Sequence, residues 1–330
     1  MTEQPDARTL GDWSRIAIEQ YYQKILKHEP KVLKNKDPEE LHQMRVGMRR
    51  LRTALVGFSQ AIILPKAVTE KKVGLIARIL GELRDLDVLE ETLTKIYAPE
   101  LPNSEKQKLG KTLDSLEKRR KQAAQATKDI LNKPLYKNLK TELEHWLAQP
   151  KYSAIAALPI ESVLPDLLLP QVSNFLLHSG WLVGAYLEPQ EGEFLSNTVL
   201  NKSLEMLSHA EEIKLHSLRK EAKRTRYLME LLSDFYGDNY HTILKKIKNL
   251  QEVLGEIQDS FVLRQLLADS YGHHLRQTMP TLTQHIREHR QQKGQDWEEL
   301  RRFFLNPDTR IALRTSVQSP QSAILTATSH

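Results

Sequence analysis

The chain has 330 residues, of which 40% are hydrophobic and 27% are charged. This balance is typical of a folded globular protein and excludes a fully disordered chain. The formal net charge of +6 favours a polyanionic partner. The chain contains no cysteine, which excludes a disulfide framework, a thiolate metal site and a cysteine nucleophile.

Membrane and export signals are not evident in the sequence. The N-terminal stretch lacks the hydrophobic run of a signal peptide. The most apolar stretch, residues 158–177, is interrupted by Pro159, Pro165 and Pro170 and carries two acids, so it does not resemble a membrane span. We therefore expect a cytoplasmic protein with no membrane partner.

Hydrophobic periodicity predicts helices along the first half and no strand anywhere. Four helices are expected, over about 10–28, 38–63, 68–97 and 104–147. The second begins with Asp37 as N-cap and Pro38 at the first helical position, and the fourth is expected to kink near Pro134. Short connections between such helices predict an antiparallel four-helix bundle over residues 10–148.

The second half begins with a change in composition. Residues 149–170 contain four prolines among small and apolar residues, which predicts a packed linker. Four further helices are expected, over about 171–187, 211–235 (or from near Asn197), 239–270 and 273–305. They predict a second helical bundle over residues 171–305. The aperiodic stretch 306–330 predicts a flexible tail, and 188–210 is assigned no role.

An internal repeat organises the whole chain. Residues 41–58 recur as 215–232, at a constant offset of 174 residues. The same offset relates the segment LGELRD at 80–85 to LGEIQD at 254–259. A register held without a gap across both segments is hard to obtain by chance. The chain therefore contains a duplicated helical unit.

Each copy of the repeat places a row of basic side chains along one helix face. The first basic row is His42, Arg45, Arg49 and Arg52, and the second basic row is His216, Arg219, Lys223 and Arg226. At 100° per residue each row falls within about 80° of arc, beside an apolar stripe that faces the core. Like charges at this spacing repel, and residues 41–53 contain no carboxylate. We therefore predict that a group outside the helix neutralises the first row.

Two interpretations of the rows stand side by side. Most lysines and arginines on amphipathic helices simply form a solvated face. Binding is favoured because histidine holds the same place in both rows, arginine predominates in the first row and acids are nearly absent from both. The planar fork of arginine suits phosphate oxygens, and histidine gains charge readily beside an anion. Such rows suit a polymer with a phosphate every few ångströms.

Asp85 and its repeat Asp259 are predicted to orient neighbouring arginine side chains and to offset their repulsion. Asp85 and Asp87 also form an Asp-x-Asp pair of the metal-binding kind. Residues two apart on a helix do not face each other, however, and Asp87 becomes Phe261 in the second copy. The first reading, an orienting carboxylate, is therefore preferred.

Other candidate positions are glycines and histidines. Gly81 and Gly255 occupy helix interiors, where glycine costs about 1 kcal/mol relative to alanine, which predicts the close approach of another helix. His285 and His289 have the i, i+4 spacing of a metal pair, but no carboxylate set accompanies them in sequence, so we interpret them as surface histidines. We expect neither a metal site nor a cofactor.

The pattern H-x-x-R-x-x-x-R-R-x-R at 42–52, its counterpart H-x-x-R-x-x-x-K-R-x-R at 216–226 and the L-G-x-x-x-D segments resemble the CHAD domain, the conserved histidine α-helical domain. The resemblance covers residues 10–290. It implies an all-α fold of two four-helix bundles related by a pseudo-twofold axis, with the basic helices lining a shared positively charged groove or pore. It also implies binding of inorganic polyphosphate and, for some members, association with polyphosphate granules.

Carried over to this chain, the resemblance implies ten polyphosphate-binding residues. They are His42, Arg45, Arg49, Arg50, Arg52, His216, Arg219, Lys223, Arg224 and Arg226. Lys223 departs from the arginine at position 49, and it keeps the charge while losing the bidentate fork. Some family members carry an additional triphosphate-tunnel catalytic domain marked by E-x-E-x-K, and this sequence contains no such motif.

The leading hypothesis is a protein that binds polyphosphate without enzymatic activity. The first alternative is a nucleic-acid-binding protein, since DNA and RNA are also bound through lysine and arginine. Residues 42–52 contain no aromatic side chain on which bases stack, so no specific nucleic acid is expected. The second alternative is an enzyme that transfers or hydrolyses phosphoryl groups. It needs a metal-binding carboxylate cluster or an activated nucleophile, and the sequence shows neither.

Overall fold

The structure is a computed structural model that describes residues 8–35, 37–184 and 207–321. Regular structure in these ranges is helical, as predicted, with two isolated β-bridges between Thr9 and Pro159 and between Ile62 and Tyr152. None of the helices described combines the length and the hydropathy that crossing a bilayer requires. The chain divides into two compact units, the first made of Met1–Glu100 with Leu109–Val163, the second of Leu101–Lys108 with Leu164–His330.

The first unit is built from helices, two of which begin at capping residues that the sequence makes recognisable. They are α1 (Leu10–Lys34), α2 (Pro38–Gly57), α3 (Glu70–Glu91), most of α4 (Asn103–Asn132) and α5 (Pro134–Ala148). Thr9 and Asp12 form a capping box at the start of α1, and the Asp37 carboxylate accepts from the Glu39 backbone N–H at the start of α2. The predicted kink at Pro134 is a break, because α4 ends before Lys133 and α5 begins after it.

Helices α1 and α2 approach each other closely at Gly47. A Cβ atom at that position would lie 2.9 Å from Cγ1 of Ile25, closer than real side chains come. The facing residues Ile18, Met44 and Met48 are completely buried. The first basic row is therefore carried on a helix whose adjacent apolar face is fixed in the core, and burial of each such side chain contributes about 1.5–3 kcal/mol.

The second unit is also built from helices, and aromatic side chains pack in its core. It contains most of α6 (Ile160–Leu176), α7 (His209–Leu231), α8 (Asp238–Tyr271), the single turn α9 (Leu275–Thr278), α10 (Pro280–Leu305) and α11 (Pro307–Gln318). Trp181 and Trp297 stack with ring centroids 5.6 Å apart, and Phe304 contacts Trp181 at 5.4 Å. A capping box of Ser208 and Glu211 begins α7 at His209, so this helix does not extend back toward Asn197.

The interpretation of 149–170 as a linker followed by a helix over 171–187 is wrong in its boundary. Helix α6 runs from Ile160 to Leu176 and passes through Pro165 and Pro170. Each internal proline costs about 3 kcal/mol. Four side chains at helical spacing are fully buried on the same helix and outweigh that cost at about 1.5–3 kcal/mol each: Leu164, Leu168, Val172 and Phe175. Residues 185–187 of the predicted helix lie outside the described ranges.

The prediction of a flexible tail is also wrong for residues 307–318. Asn306 accepts hydrogen bonds from the backbone N–H groups of Asp308 and Thr309 and begins α11. The helix buries Leu313 and Val317, and the Tyr236 hydroxyl donates to the carbonyl of Val317 at 3.1 Å. Residues 322–330 of the predicted tail and most of 188–210 lie outside the described ranges.

Candidate anion-binding site

The first basic row lies on α2 with part of each guanidinium supported by α3. Nη2 of Arg45 donates to Oδ1 of Asp85 at 3.0 Å. Nε of the same arginine lies 3.4 Å from where a Cβ on Gly81 would be. The Arg45 side chain is 15% exposed, whereas Asp85 is 68% exposed. The arginine is therefore held in a groove of the α3 surface, while its carboxylate partner remains in water.

The second basic row repeats this arrangement on α7 and α8. Nη2 of Arg219 lies 3.9 Å from Oδ1 of Asp259 and 3.1 Å from the Cβ position of Gly255. Within the described part of the chain, the buried Nε of Arg219 has no hydrogen-bond partner. Both repeated glycines thus accommodate an arginine side chain of the neighbouring helix. The close approach of another helix that was expected at each glycine is thus made by an arginine side chain of that helix.

The outer arginines of the two rows also meet carboxylates. Nε of Arg52 donates to Oε1 of Glu70 at 2.5 Å, and Arg226 donates to Glu230 at 2.5 Å and to Gln251 at 2.8 Å. Ion pairs of this partly exposed kind contribute about 0–1 kcal/mol, so a polyanion can replace them. The group outside α2 that offsets the repulsion between arginines is therefore the set of acids on α3.

Arg49 occupies the middle of the first row and is half-buried. In the described ranges its side chain makes no ion pair, in contrast to Arg45 and Arg52. Its repeat is Lys223, also half-buried. The middle of the first row is thus the point where positive charge is least offset by the protein itself.

The row histidines are both half-buried, and both have a lowered pKa. For His42 the main cause is burial, and Arg84, Arg45 and Arg49 lower its pKa further while Glu39 raises it. For His216 burial again dominates, followed by the neighbouring cations Lys220, Arg219 and Lys223. No described residue makes a hydrogen bond with the buried Nδ1 of His216. Both imidazoles are therefore neutral at pH 7, and an anion placed beside them would favour their protonation.

Arg50 and Arg224 do not belong to the rows, although the resemblance includes them in the ligand set. At 100° per residue, Arg50 lies about 80–160° around α2 from the members of the first row. Its Cζ lies 5.9 Å from the ring centroid of Tyr21 on α1. Arg224 pairs with Glu221 at 3.0 Å. The structure therefore brings together four residues of each predicted set and separates the fifth.

Asp87 is a structural carboxylate. It is 7% exposed, and Nε of Arg120 on α4 donates to its Oδ1 at 2.6 Å. At the repeated position, Arg290 lies over the ring of Phe261 at 4.3 Å, so the second unit replaces the ion pair with a cation–π contact. His289 meets Glu256 at 3.2 Å. The described ranges contain no group of three His, Cys, Asp or Glu side chains arranged to hold a metal ion.

Sequence reasoning missed two contributors to the first row. Glu70 is the partner of Arg52, and Gly74 lies under the same arginine, with its Cβ position 3.3 Å from Cζ. The seven-residue spacing of Gly74 and Gly81 is the available signal, because it puts both glycines on one face of α3 two turns apart. The pairing with Glu70 depends on how α2 and α3 align and has no local signature.

Comparison with known proteins agrees with the resemblance to the CHAD domain seen in the sequence. The family model of the CHAD domain matches residues 16–268. The crystal structure of the CHAD domain from the plant Ricinus communis is similar, with 23% identity, a TM-score of 0.55 and coverage of 97% of both chains. PptA from Streptomyces chartreusis is 14% identical with a TM-score of 0.57, covering 94% of this chain and 100% of that one. At these identities the two structures show a shared fold. Comparison with curated proteins finds no match.

Proposed function

The chain belongs to the CHAD domain family, and from this premise we propose that it binds inorganic polyphosphate through the two basic rows, without turning it over. The observation that carries the proposal is the repeated seating of an arginine over a helix glycine, in Arg45 over Gly81 and in Arg219 over Gly255. An arginine that serves only as a solvated surface charge does not require this contact with a glycine. The contact fixes the direction of the guanidinium before a ligand arrives, which lowers the entropy lost on binding.

The dimensions and charges of each row support a linear polyanion as the ligand. The first row runs from His42 to Arg52, and at 1.5 Å per residue it is about 15 Å long. A single phosphate occupies only one position on such a row, whereas a chain of phosphates occupies several at once. Charge-assisted hydrogen bonds contribute about 1.5–3 kcal/mol each, so simultaneous contacts give a polymer a large advantage.

The absence of a catalytic role is part of the proposal. The carboxylates nearest to the rows, Asp85 and Glu70, hold arginines, and Asp87 is occupied by Arg120. Phosphoryl transfer needs groups that position a metal ion or a nucleophile, and these acids already serve as partners of cations. In cells, we expect such a protein to associate with polyphosphate granules.

The direct test is a competition experiment with the full chain. Labelled long-chain polyphosphate is bound and then displaced by unlabelled polyphosphate, RNA, duplex DNA or orthophosphate. We expect efficient displacement by polyphosphate alone and steep weakening with salt, because each neutralised phosphate releases counterions. Displacement by RNA or DNA at the same phosphate concentration would favour the nucleic-acid alternative. Orthophosphate competing as well as the polymer, molecule for molecule, would refute binding along a row.

A further inference from the structure

We propose that the first unit contains a second anion site, separate from the basic rows, which binds small molecules carrying a phosphate group with two or more negative charges. The site is a cavity of about 580 Å³ beside α1 and α2. Its cations are Lys24, Lys27 and Arg50, and Tyr21 and Gln43 also line it. The volume is within the range of about 300–1,000 Å³ usual for small-molecule sites.

The cavity is built by the close approach of α1 to α2 at Gly47. A Cβ atom on Gly47 would lie 3.5 Å from Cγ of Lys24, so the lysine stem lies along the backbone of α2 at this point. Gly47 lies four residues after Gln43 and three before Arg50, so these two side chains lie on either side of it along one face of α2. Lys27 follows Lys24 by three residues on α1. The three cations therefore converge from two helices.

The electrostatics of the cavity favour an anion with several charges. Burial lowers the pKa of Lys24, and the charges of Arg50 and Lys27 lower it further, while Glu39 acts in the opposite direction. Neither Lys24 nor Lys27 forms an ion pair within the ranges that the structure describes. Glu40, the acid nearest to His28, is already held by His28 and Lys31, each at 2.6 Å. A phosphate dianion would relieve the mutual repulsion of the cations.

Phosphate fits this arrangement better than a carboxylate does. Its tetrahedral oxygens accept hydrogen bonds from several directions, whereas a carboxylate is planar and has two oxygens. Two lysines on α1 and an arginine on α2 supply donors from two sides, whereas the Nε2 amide of Gln43 already donates to Oε1 of Glu39 at 2.5 Å. The guanidinium fork of Arg50 matches two phosphate oxygens, and its contact with Tyr21 orients the fork.

The second unit does not repeat the cavity. The counterpart of Gly47 is Glu221, whose carboxylate accepts from Arg224, the counterpart of Arg50, at 3.0 Å and from Gln171 at 2.6 Å. The second unit therefore carries a carboxylate at this position, where the first unit has Gly47. The proposal is therefore restricted to the cavity of α1 and α2.

Calorimetric titration of the full chain with pyrophosphate and with a hexose monophosphate tests the site. Titrations are run in an Arg45→Gln, Arg49→Gln, Arg52→Gln background, so that the site is tested independently of polyphosphate binding by the first row. We expect saturable binding of at least one phosphate compound, weakened at least tenfold by Lys24→Gln with Arg50→Gln and several-fold by Lys27→Gln alone. The relative affinities of the two compounds distinguish an inorganic from an organic source of the phosphate.

The matched control is Lys111→Gln with Lys118→Gln, which removes two charges from exposed positions of α4 in the same unit. This control is expected to leave phosphate binding unchanged, and thermal unfolding checks that each variant is folded. Binding of citrate as strong as that of pyrophosphate would overturn the assignment to phosphate. Equal losses in the control and in the Lys24 and Arg50 variant would show general charge attraction and would overturn the site.

Discussion

Arg219 lies over Gly255, with its Nη2 atom 3.1 Å from the position that a Cβ atom would take there. The equivalent contact in the first unit, between Nε of Arg45 and the Cβ position of Gly81, is 3.4 Å, an ordinary van der Waals distance. Two repeated arginines are therefore seated alike, but one has less room than the other. Because of this difference, alanine substitutions at the two glycines can distinguish an effect on stability from an effect on binding.

The first prediction compares Gly81→Ala with Gly255→Ala. Both substitutions improve helix propensity by about 1 kcal/mol. At position 81 the added methyl group fits, so we expect increased stability toward urea and unchanged polyphosphate affinity. At position 255 the guanidinium of Arg219 must move by a few tenths of an ångström, so we expect a smaller gain in stability and weaker binding. Equal effects on affinity would show that the seat does not orient the arginine for binding.

Much of the first row could be predicted because its signals are local. Asp37 and Pro38 mark the start of α2, and the 100° rotation per residue places His42 and Arg45 on one face. The repeat at an offset of 174 residues then singled out Asp85 as a functional partner. The structure shows it beside Arg45. The local helix signals and the internal repeat together were enough to predict that Asp85 accompanies an arginine of the first row.

The features that were missed depend on tertiary packing. Pro165 and Pro170 are strong local signals against a helix, yet the burial of Leu164 and Leu168 outweighs them. The direction in which Arg50 projects follows from helix geometry, but the cavity it lines is formed by side chains of both α1 and α2. No single-helix pattern contains that information.

The second prediction concerns pH. The pKa of His42 and of His216 is lowered, mainly by burial, so both are neutral in the free protein at pH 7. A bound polyanion raises both values, so binding takes up protons and affinity rises as the pH falls below 7, levelling off below the lowered pKa values of the free protein. Calorimetry in buffers of different ionisation enthalpy measures the proton uptake.

His42→Gln combined with His216→Gln is the control for this pH dependence. Glutamine keeps a hydrogen-bond donor and removes the titration, so we expect flat affinity over the same range and no proton uptake. Long polyphosphate chains are used because the few terminal groups that titrate near neutral pH then contribute little. An unchanged slope in the double variant would assign the pH dependence to other groups.

The third prediction concerns Asp87. Its carboxylate is 7% exposed and accepts from Arg120 at 2.6 Å, so Asp87→Ala leaves a largely covered guanidinium without this partner. We expect a loss of about 1–3 kcal/mol in the free energy of unfolding, with polyphosphate affinity nearly unchanged. Urea denaturation of the single variants and of Asp87→Ala with Arg120→Ala, as a double-mutant cycle, measures the coupling between the two residues.

Alanine variants of Asp85 and Asp87 test the absence of turnover. The wild-type chain, incubated with polyphosphate, triphosphate or ATP and a divalent metal, is expected to release no phosphate above background. Turnover that disappears in Asp85→Ala or in folded Asp87→Ala would restore the Asp-x-Asp pair as a metal site. It would also contradict our assignment of both carboxylates as partners of arginine.

The last prediction tests whether the two rows act on one polymer. Replacing Arg45, Arg49 and Arg52 with alanine is expected to weaken polyphosphate binding about as much as replacing Arg219, Lys223 and Arg226. If each row supplies several charge-assisted contacts to the same chain, either change costs roughly 3 kcal/mol or more, a loss of at least about a hundredfold in affinity.

Binding to two independent rows would instead leave the affinity of the intact row nearly unaltered and halve the stoichiometry. Calorimetry reports both quantities in one titration. Circular dichroism checks the fold. We expect it to survive because Met44, Met48 and Leu218 keep the neighbouring apolar helix faces buried and because like-charge repulsion along each row falls. Unfolding of a triple variant would show that the arginines stabilise the fold through Asp85, Glu70 and Glu230. The rows would then have a structural role instead of a role in ligand binding.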